Sequence, residues 1–231
     1  MRPALLLVCG HLCDARMWAQ QVAALADLAD VRPLVLAAKP SVAELAAEVL
    51  AAAPPRFALA GFSLGGYVTF EIVRQARERI ERLAFIDTSA RADTPEQHEQ
   101  RLANVAAARA GKLDEVVDAF LERMRGPTMD ARPERMAEVA AMMRGNARRM
   151  YDAQQRAILS RPDSRALLPT IGVPTLVASG EHDAAIPLEV AKEIADGIPG
   201  AAWTPIAHAG HMVTYEQPEV VNAALRRWLS D

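Results

Sequence analysis

A serine between glycines lies where a predicted strand gives way to a predicted helix. The motif is Gly61-Phe62-Ser63-Leu64-Gly65; the short apolar run 56–60 precedes it, and apolar residues at helical spacing follow it. In such a turn the glycines let the backbones approach closely, and the serine hydroxyl projects clear of the sheet. The helix N-terminus behind it favours developing negative charge. Ser63 is therefore a candidate nucleophile, with a solvated serine in a glycine-rich turn as the alternative.

A serine nucleophile needs a base, and the base needs a carboxylate that orients it. The chain carries candidates for both after Ser63. His211 follows Gly210 in a segment just beyond the apolar run 201–206, and Asp183 follows the apolar run 174–179. The sequence therefore offers a serine, an acid and a histidine, in that order along the chain.

Other residues compete for two of these roles. His208 lies three positions before His211 and is a second candidate base. Asp87 ends the predicted strand 82–87 and is a second candidate acid. His182 neighbours Asp183, but a base in the same loop as the acid would face no suitable partner.

The order serine, acid, histidine is the one found in α/β-hydrolases. The chain resembles this superfamily, in particular its small-capped, esterase-like members, over nearly its whole length. The match departs from the family pattern at Cys9, where members usually carry a histidine that is structural. Four segments match in the expected order: the loop Cys9-Gly10-His11, the motif around Ser63, the acid loop Gly180-Glu181-His182-Asp183, and Gly210-His211.

The resemblance implies specific roles for these residues. It makes His211, directly after glycine, the base in preference to His208, and Asp183 the acid in preference to Asp87. It also implies an oxyanion hole formed by two backbone N–H groups, those of Leu64 and His11. Only the backbones act there, so the identities of these side chains do not weaken the assignment.

The rest of the sequence predicts an α/β fold of the α/β-hydrolase type. We expect a mostly parallel sheet of about six strands, flanked by helices, with the strand order 2-1-3-4-5-6. Asp14 is expected to cap a helix that runs to about Ala29, and Ser41 begins a capping box with Glu44. The predicted strands are 4–9, 31–36, 56–60, 82–87, 174–179 and 201–206, and a final helix begins near 217.

Residues 89–165 break this alternation. They contain no convincing strand, and their apolar residues fall at helical spacing, divided by Pro127, Pro133 and Gly145 into three or four helices. The resemblance places a cap at this point of the chain. We therefore expect a core made of 1–88 and 166–231 and a helical cap made of 89–165, which would exclude water and shape the substrate pocket.

Composition limits the range of partners. With 51% hydrophobic and 24% charged residues the chain is typical of a globular protein, and its net charge of −3 gives no reason to expect nucleic acid. The apolar run 4–9 is too short to span a membrane. Cys9 and Cys13 would close only a tiny disulfide loop, so thiols in the cytoplasm are expected. The cap arginines Arg144, Arg148 and Arg149 form either a solvated helix face or a rim for an anionic carrier.

The function that these features predict is hydrolysis of a small carboxylic ester through an acyl-serine intermediate. The expected partner is a small-molecule acyl substrate, and the chemistry requires neither a metal nor an organic cofactor. Acyl transfer, lactone opening and carbon–carbon bond hydrolysis use the same triad and remain alternatives. A non-catalytic small-molecule binder on this fold is a further alternative, because fold alone does not fix function.

Overall fold

Six strands form one sheet through the centre of the molecule, and every neighbouring pair is parallel. The structure is a computed structural model and describes residues 2–231. Its strand order, β2-β1-β3-β4-β5-β6, confirms the predicted one. The strands are β1 (Ala4–Val8), β2 (Asp30–Leu34), β3 (Phe57–Phe62), β4 (Ile80–Ile86), β5 (Thr175–Gly180) and β6 (Ala202–Ile206).

Apolar side chains from alternate positions of the strands fill a core on each face of the sheet. In β1, Leu5 and Leu7 belong to one core, and Leu6 and Val8 belong to the other. This follows from the period of two in a strand, and it explains why β1 and β3, which are buried on both faces, are apolar along their whole length. The two edge strands β2 and β6 each contain a proline, which a sheet tolerates at its edges because a proline cannot donate a ladder hydrogen bond.

Helices cover both faces. The helices that cover them are α1 (Ala19–Leu25), α2 (Val42–Ala52), α3 (Leu64–Ala76), α8 (Leu188–Gly197), α9 (Val213–Glu216) and α10 (Pro218–Ser230). On one face α1 packs against α10, and on the other α2 packs against α3. Within residues 2–231, no helix combines the length and the apolar composition that crossing a bilayer requires.

A helical insertion separates β4 from β5. It contains α4 (Pro95–Ala107), a π-helical turn over 108–112, α5 (Leu113–Met124), α6 (Pro127–Ala131) and α7 (Pro133–Leu159). Pro127 and Pro133 begin helices, as the sequence predicts. Gly145 was wrongly predicted to end one: α7 runs through it, because a helical glycine costs only about 1 kcal/mol and buried neighbours outweigh that. The break falls instead at Gly111, whose φ of 93° is left-handed.

The helix predicted from Asp14 to Ala29 is also shorter than expected. The carboxylate of Asp14 accepts the N–H of Arg16 and caps a 3-10 turn over 15–18, after which α1 ends at Leu25. The chain must turn there, because Asp30 already donates its N–H to the carbonyl of Pro3 at 2.9 Å as it enters the sheet. Tertiary pairing therefore ends a helix that local propensity alone would extend.

Candidate active site

Ser63 lies at a strained corner between β3 and α3. Its φ is 52°, a left-handed conformation that is uncommon for a residue with a side chain and is found most often where function requires it. Its N–H donates to Ile86 O at 3.0 Å. Two glycines make the corner possible: a Cβ on Gly61 would lie 2.4 Å from Gly65 O, and one on Gly65 would lie 2.4 Å from Val8 O. The geometry is that of a nucleophile elbow.

The structure brings Ser63, His211 and Asp183 into one hydrogen-bonded chain. His211 Nε2 lies 3.0 Å from Ser63 Oγ, and His211 Nδ1 lies 2.7 Å from Asp183 Oδ2. The other oxygen of Asp183 accepts the N–H groups of Ala185 and Ile186, each at 2.8 Å. An ionised carboxylate only accepts, so the Nδ1 atom carries the proton and Nε2 is left free to receive one from Ser63.

The competing residues lie elsewhere. The side chains of His208 and His182 are exposed, and the carbonyl of His208 accepts hydrogen bonds from Thr128. Asp87 is fully buried near the site, but Asp87 Oδ1 accepts the N–H of Gly180 at 2.9 Å and Oδ2 accepts that of Val213 at 3.4 Å. Burial, followed by the charge of Asp183, raises the pKa of Asp87 well above its ordinary value. Asp87 therefore joins the acid loop to the helix after His211 without touching the imidazole.

Two backbone N–H groups are the candidates for an oxyanion hole. Leu64 is the first residue of α3, and His11 lies in the turn after Gly10. Within residues 2–231, neither N–H donates to a protein acceptor. The first N–H groups of a helix have no intrahelical partner, which makes that of Leu64 suitable for an oxyanion.

The side chain of His11 is buried between two glutamines of α7. Its Nδ1 lies 3.0 Å from Gln154 Oε1, and its Nε2 lies 2.9 Å from Gln155 Nε2. Burial lowers the pKa of His11 to about 3, so the ring is neutral, with the proton on Nδ1 facing the acceptor Gln154. Gln154 Oε1 also accepts the N–H of Leu12 at 2.9 Å. Neither glutamine lies in a sequence motif that would have indicated it.

The insertion closes over the candidate site. The ring centroids of Phe120 and Tyr151 lie 5.6 and 5.5 Å from that of His11. Ser63 is only 9% exposed and His211 only 2%. A cavity of about 270 Å³ lies near Ile80, at the start of β4, which is the opposite end of the strands.

The other residues singled out in the sequence are two cysteines and three arginines. Cys9 and Cys13 are free thiols and are buried, and burial raises the pKa of both. Arg144 pairs with Asp118 at 2.7 Å. Arg148 and Arg149 are exposed on α7, as a solvated helix face would be.

The parallel sheet, the elbow and the serine–histidine–aspartate geometry together define an α/β-hydrolase. A model of the alpha/beta hydrolase family matches residues 5–224, and the chain belongs to that family. It is 27% identical to the pimeloyl-[acyl-carrier protein] methyl ester esterase of Vibrio atlanticus, over 91% of this chain and 89% of that protein. A proline iminopeptidase of Levilactobacillus brevis matches only locally, and the chain spans 22% of that protein's length.

Two solved structures are similar throughout. A thermophilic esterase from Thermogutta terrifontis superposes with a TM-score of 0.88 at 30% identity, covering 99% of this chain and 89% of that chain. An enol-lactonase from Burkholderia xenovorans LB400 superposes with a TM-score of 0.89 at 26% identity, covering 100% of this chain and 93% of that chain.

Proposed function

We propose that this protein is a serine hydrolase that cleaves a small carboxylic ester through an acyl-serine intermediate. The observation that carries the proposal is the chain of contacts from Ser63 Oγ to His211 Nε2 at 3.0 Å and from His211 Nδ1 to Asp183 Oδ2 at 2.7 Å. A hydroxyl in contact with an oriented imidazole is the arrangement that nucleophilic catalysis by serine needs. The named activities of the esterase relatives also support it.

In the first half of the reaction, Ser63 Oγ attacks the ester carbonyl carbon while His211 Nε2 takes its proton. Asp183 keeps the Nδ1–H tautomer and stabilises the imidazolium that forms. The N–H groups of His11 and Leu64 hold the oxyanion. The intermediate then collapses: the bond from carbon to the alcohol oxygen breaks, and the leaving alcohol takes the proton from His211.

In the second half, water replaces the alcohol. His211 takes a proton from the water while the water oxygen attacks the acyl carbon. The bond from that carbon to Ser63 Oγ then breaks. Ser63 Oγ recovers the proton from His211, which releases a carboxylic acid. This sequence uses no metal and no organic cofactor.

We further propose that residues 1–88 and 166–231 act as the catalytic core and residues 89–165 as a cap. The packing of the Phe120 and Tyr151 rings against His11 and the low exposure of Ser63 support this division. A closed cap excludes bulk water from the site while the ester is bound. Because Cys9 and Cys13 are both free, we propose a reducing, cytoplasmic location for the protein.

Lactone opening is the alternative that a specific observation favours, because the enol-lactonase structure superposes over the whole chain. A lactone is an internal ester, so the same attack applies, and the alcohol and the acid remain in one product. Acyl transfer and carbon–carbon bond hydrolysis would use the same acyl-serine logic with a different acceptor or leaving group. A non-catalytic binder would leave the serine unreactive.

A fluorophosphonate and a panel of p-nitrophenyl esters of increasing acyl length test the proposal. We expect labelling of Ser63 and the fastest release of p-nitrophenol from short acyl chains. Labelling without ester turnover, together with ring opening of lactones in a matching panel, would indicate that the protein is a lactonase. Transfer of the acyl group to added alcohols or thiols in preference to water would indicate an acyltransferase. Absence of labelling in folded protein would contradict the proposal and favour a binder.

A further inference from the structure

A second carboxyl group is buried beside His211. Glu216, the last residue of α9, has no exposed surface. Glu216 Oε1 accepts the N–H of Gly210, the residue before His211, at 2.9 Å. This carboxylate is therefore bonded to the main chain directly before the proposed catalytic base.

The helical insertion closes around the same point. His211 donates its own N–H to Met124 O at 3.0 Å, at the end of α5. The next segment comes so close that a Cβ on Gly126 would lie 2.0 Å from Gly210 N and 2.3 Å from Glu216 Oε2. Glu216 thus lies where the histidine loop and the insertion meet.

Packing alone does not account for a carboxyl group at this place. Within the described residues, Glu216 Oε2 is fully buried and has no hydrogen-bond partner. Burial raises the pKa of Glu216 above its ordinary value, although the hydrogen bond from the N–H of Gly210 acts to lower it. An apolar side chain of similar length would fill the space without that desolvation cost, and a buried unsatisfied group in a native protein calls for an explanation.

The explanation that fits is the placement of the imidazole. His211 must keep Nε2 at Ser63 and Nδ1 at Asp183 simultaneously, and a displacement of about 1 Å can cost up to 100-fold in rate. The side chains of Ser63 and Asp183 orient the ring, but neither fixes the backbone from which it projects.

We propose that Glu216 is a positioning residue, which fixes the backbone of His211 by accepting the N–H of Gly210, the residue directly before it. The inference rests on the proposed function, since it gives Glu216 a role only through the base of the triad. It also predicts that an acceptor oxygen, rather than a charge, is what the position requires, because an amide oxygen can accept the N–H of Gly210 equally well.

Three variants test this. Glu216→Met keeps the length and removes the acceptor, and Glu216→Gln keeps an acceptor. Thr128→Val is the matched control. It removes the bonds from Thr128 Oγ1 to His208 O and from Gln217 Nε2 to Thr128 Oγ1, which join the same two segments without involving Gly210. The readouts are kcat and KM for p-nitrophenyl butyrate, the rate of fluorophosphonate labelling of Ser63, and the melting temperature.

We expect Glu216→Met to lower kcat and the labelling rate between about 10-fold and 100-fold, with KM within about threefold of the wild type. Glu216→Gln should recover both rates to within about threefold. Thr128→Val should lower the melting temperature and leave both rates unchanged. Rates in Glu216→Met equal to the wild type, or losses in Thr128→Val as large as those in Glu216→Met, would overturn the inference.

If Glu216→Met does not fold, Glu216→Asp serves in its place, because it withdraws the acceptor by one methylene and keeps the charge. It should also lower the labelling rate, and a rate equal to the wild type would contradict the inference. Failure of the proposed function has a different signature: the fluorophosphonate would then not label Ser63 even in the wild type.

Discussion

Gln154 and His11 are 143 residues apart in the chain, yet Gln154 Oε1 accepts hydrogen bonds from both His11 Nδ1 and the N–H of Leu12. The amide nitrogen of Gln154 donates to Leu36 O on the sheet side. The loop whose N–H is proposed to stabilise the oxyanion is thus fixed by a residue of the helical insertion. The insertion contributes to the geometry of the site as well as covering it.

The first prediction concerns this contact. Gln154→Met should lower kcat by about 10-fold or more with little change in KM, since losing an oxyanion donor outright costs about 10²- to 10³-fold and a shifted loop loses part of that. Steady-state kinetics on a p-nitrophenyl ester measures it. Gln21→Met is the control: Gln21 is equally buried and pairs with Asn222 between α1 and α10, so it should affect stability alone. Equal kcat in the two variants would refute the prediction.

Removal of the nucleophile gives the second prediction. Ser63→Ala should lower kcat on the order of 10⁴- to 10⁶-fold, because the alanine variant can form no acyl-enzyme. Binding of a non-hydrolysable substrate analogue should persist, since the oxyanion N–H groups remain. The measurement is ester turnover in protein shown by circular dichroism to be folded. Turnover near that of the wild type would contradict the triad.

The third prediction separates the two buried aspartates. Asp183→Asn presents an amide to His211 Nδ1, which favours the wrong tautomer and should cost on the order of 10⁴-fold in kcat. Asp87→Asn keeps an oxygen for the N–H of Gly180 and should change kcat by less than about 10-fold, with an effect on stability near 1 kcal/mol. Kinetics of the two variants side by side decides between them, and the reverse order of losses would make Asp87 the acid.

The fourth prediction concerns the pH dependence of stability. The pKa of Asp87 is raised by burial and by the charge of Asp183, so above the unfolded pKa of about 3.9 the unfolded chain releases this proton before the folded one does. Asp87 therefore makes the fold less stable as the pH rises from the unfolded pKa of this group towards its raised folded pKa. Asp87→Asn removes this contribution. Its melting temperature relative to the wild type should accordingly be higher at pH 7 than at pH 4, whereas a difference independent of pH would argue against the shift.

The sheet was predictable because its signals are local. Most of the strands contain a short apolar run, and parallel neighbours joined by helices leave few possible orders. Helix ends were harder to predict. Gly145 lies inside α7, whereas Gly111 interrupts the helix between α4 and α5. Both glycines have helical sequence on either side, and only tertiary packing distinguishes them. The short α9 was not predicted, as four residues carry too little periodicity.

The candidate site likewise contains some residues that the sequence indicates and others that it does not. Ser63, Asp183 and His211 each lie in a short motif just after a strand, so the sequence indicates them without a structure. Gln154 and Glu216 have no such motif around them. Gln154 is one polar residue among many on a long helix, and its role arises from contact with a loop 143 residues away. Side chains that hold other groups in place are recognised by what they touch, and a single sequence does not record that.

The hydrogen bond from His211 N–H to Met124 O has a consequence for engineering. Grafting the 89–165 segment of a relative onto this sheet would replace Met124 along with the surfaces that face the substrate. In such a chimera, a loop from the relative would have to accept the N–H of His211 in place of Met124. Grafts that keep 124–129 from this chain and exchange only the helices before and after it should retain turnover more often than whole-segment exchanges.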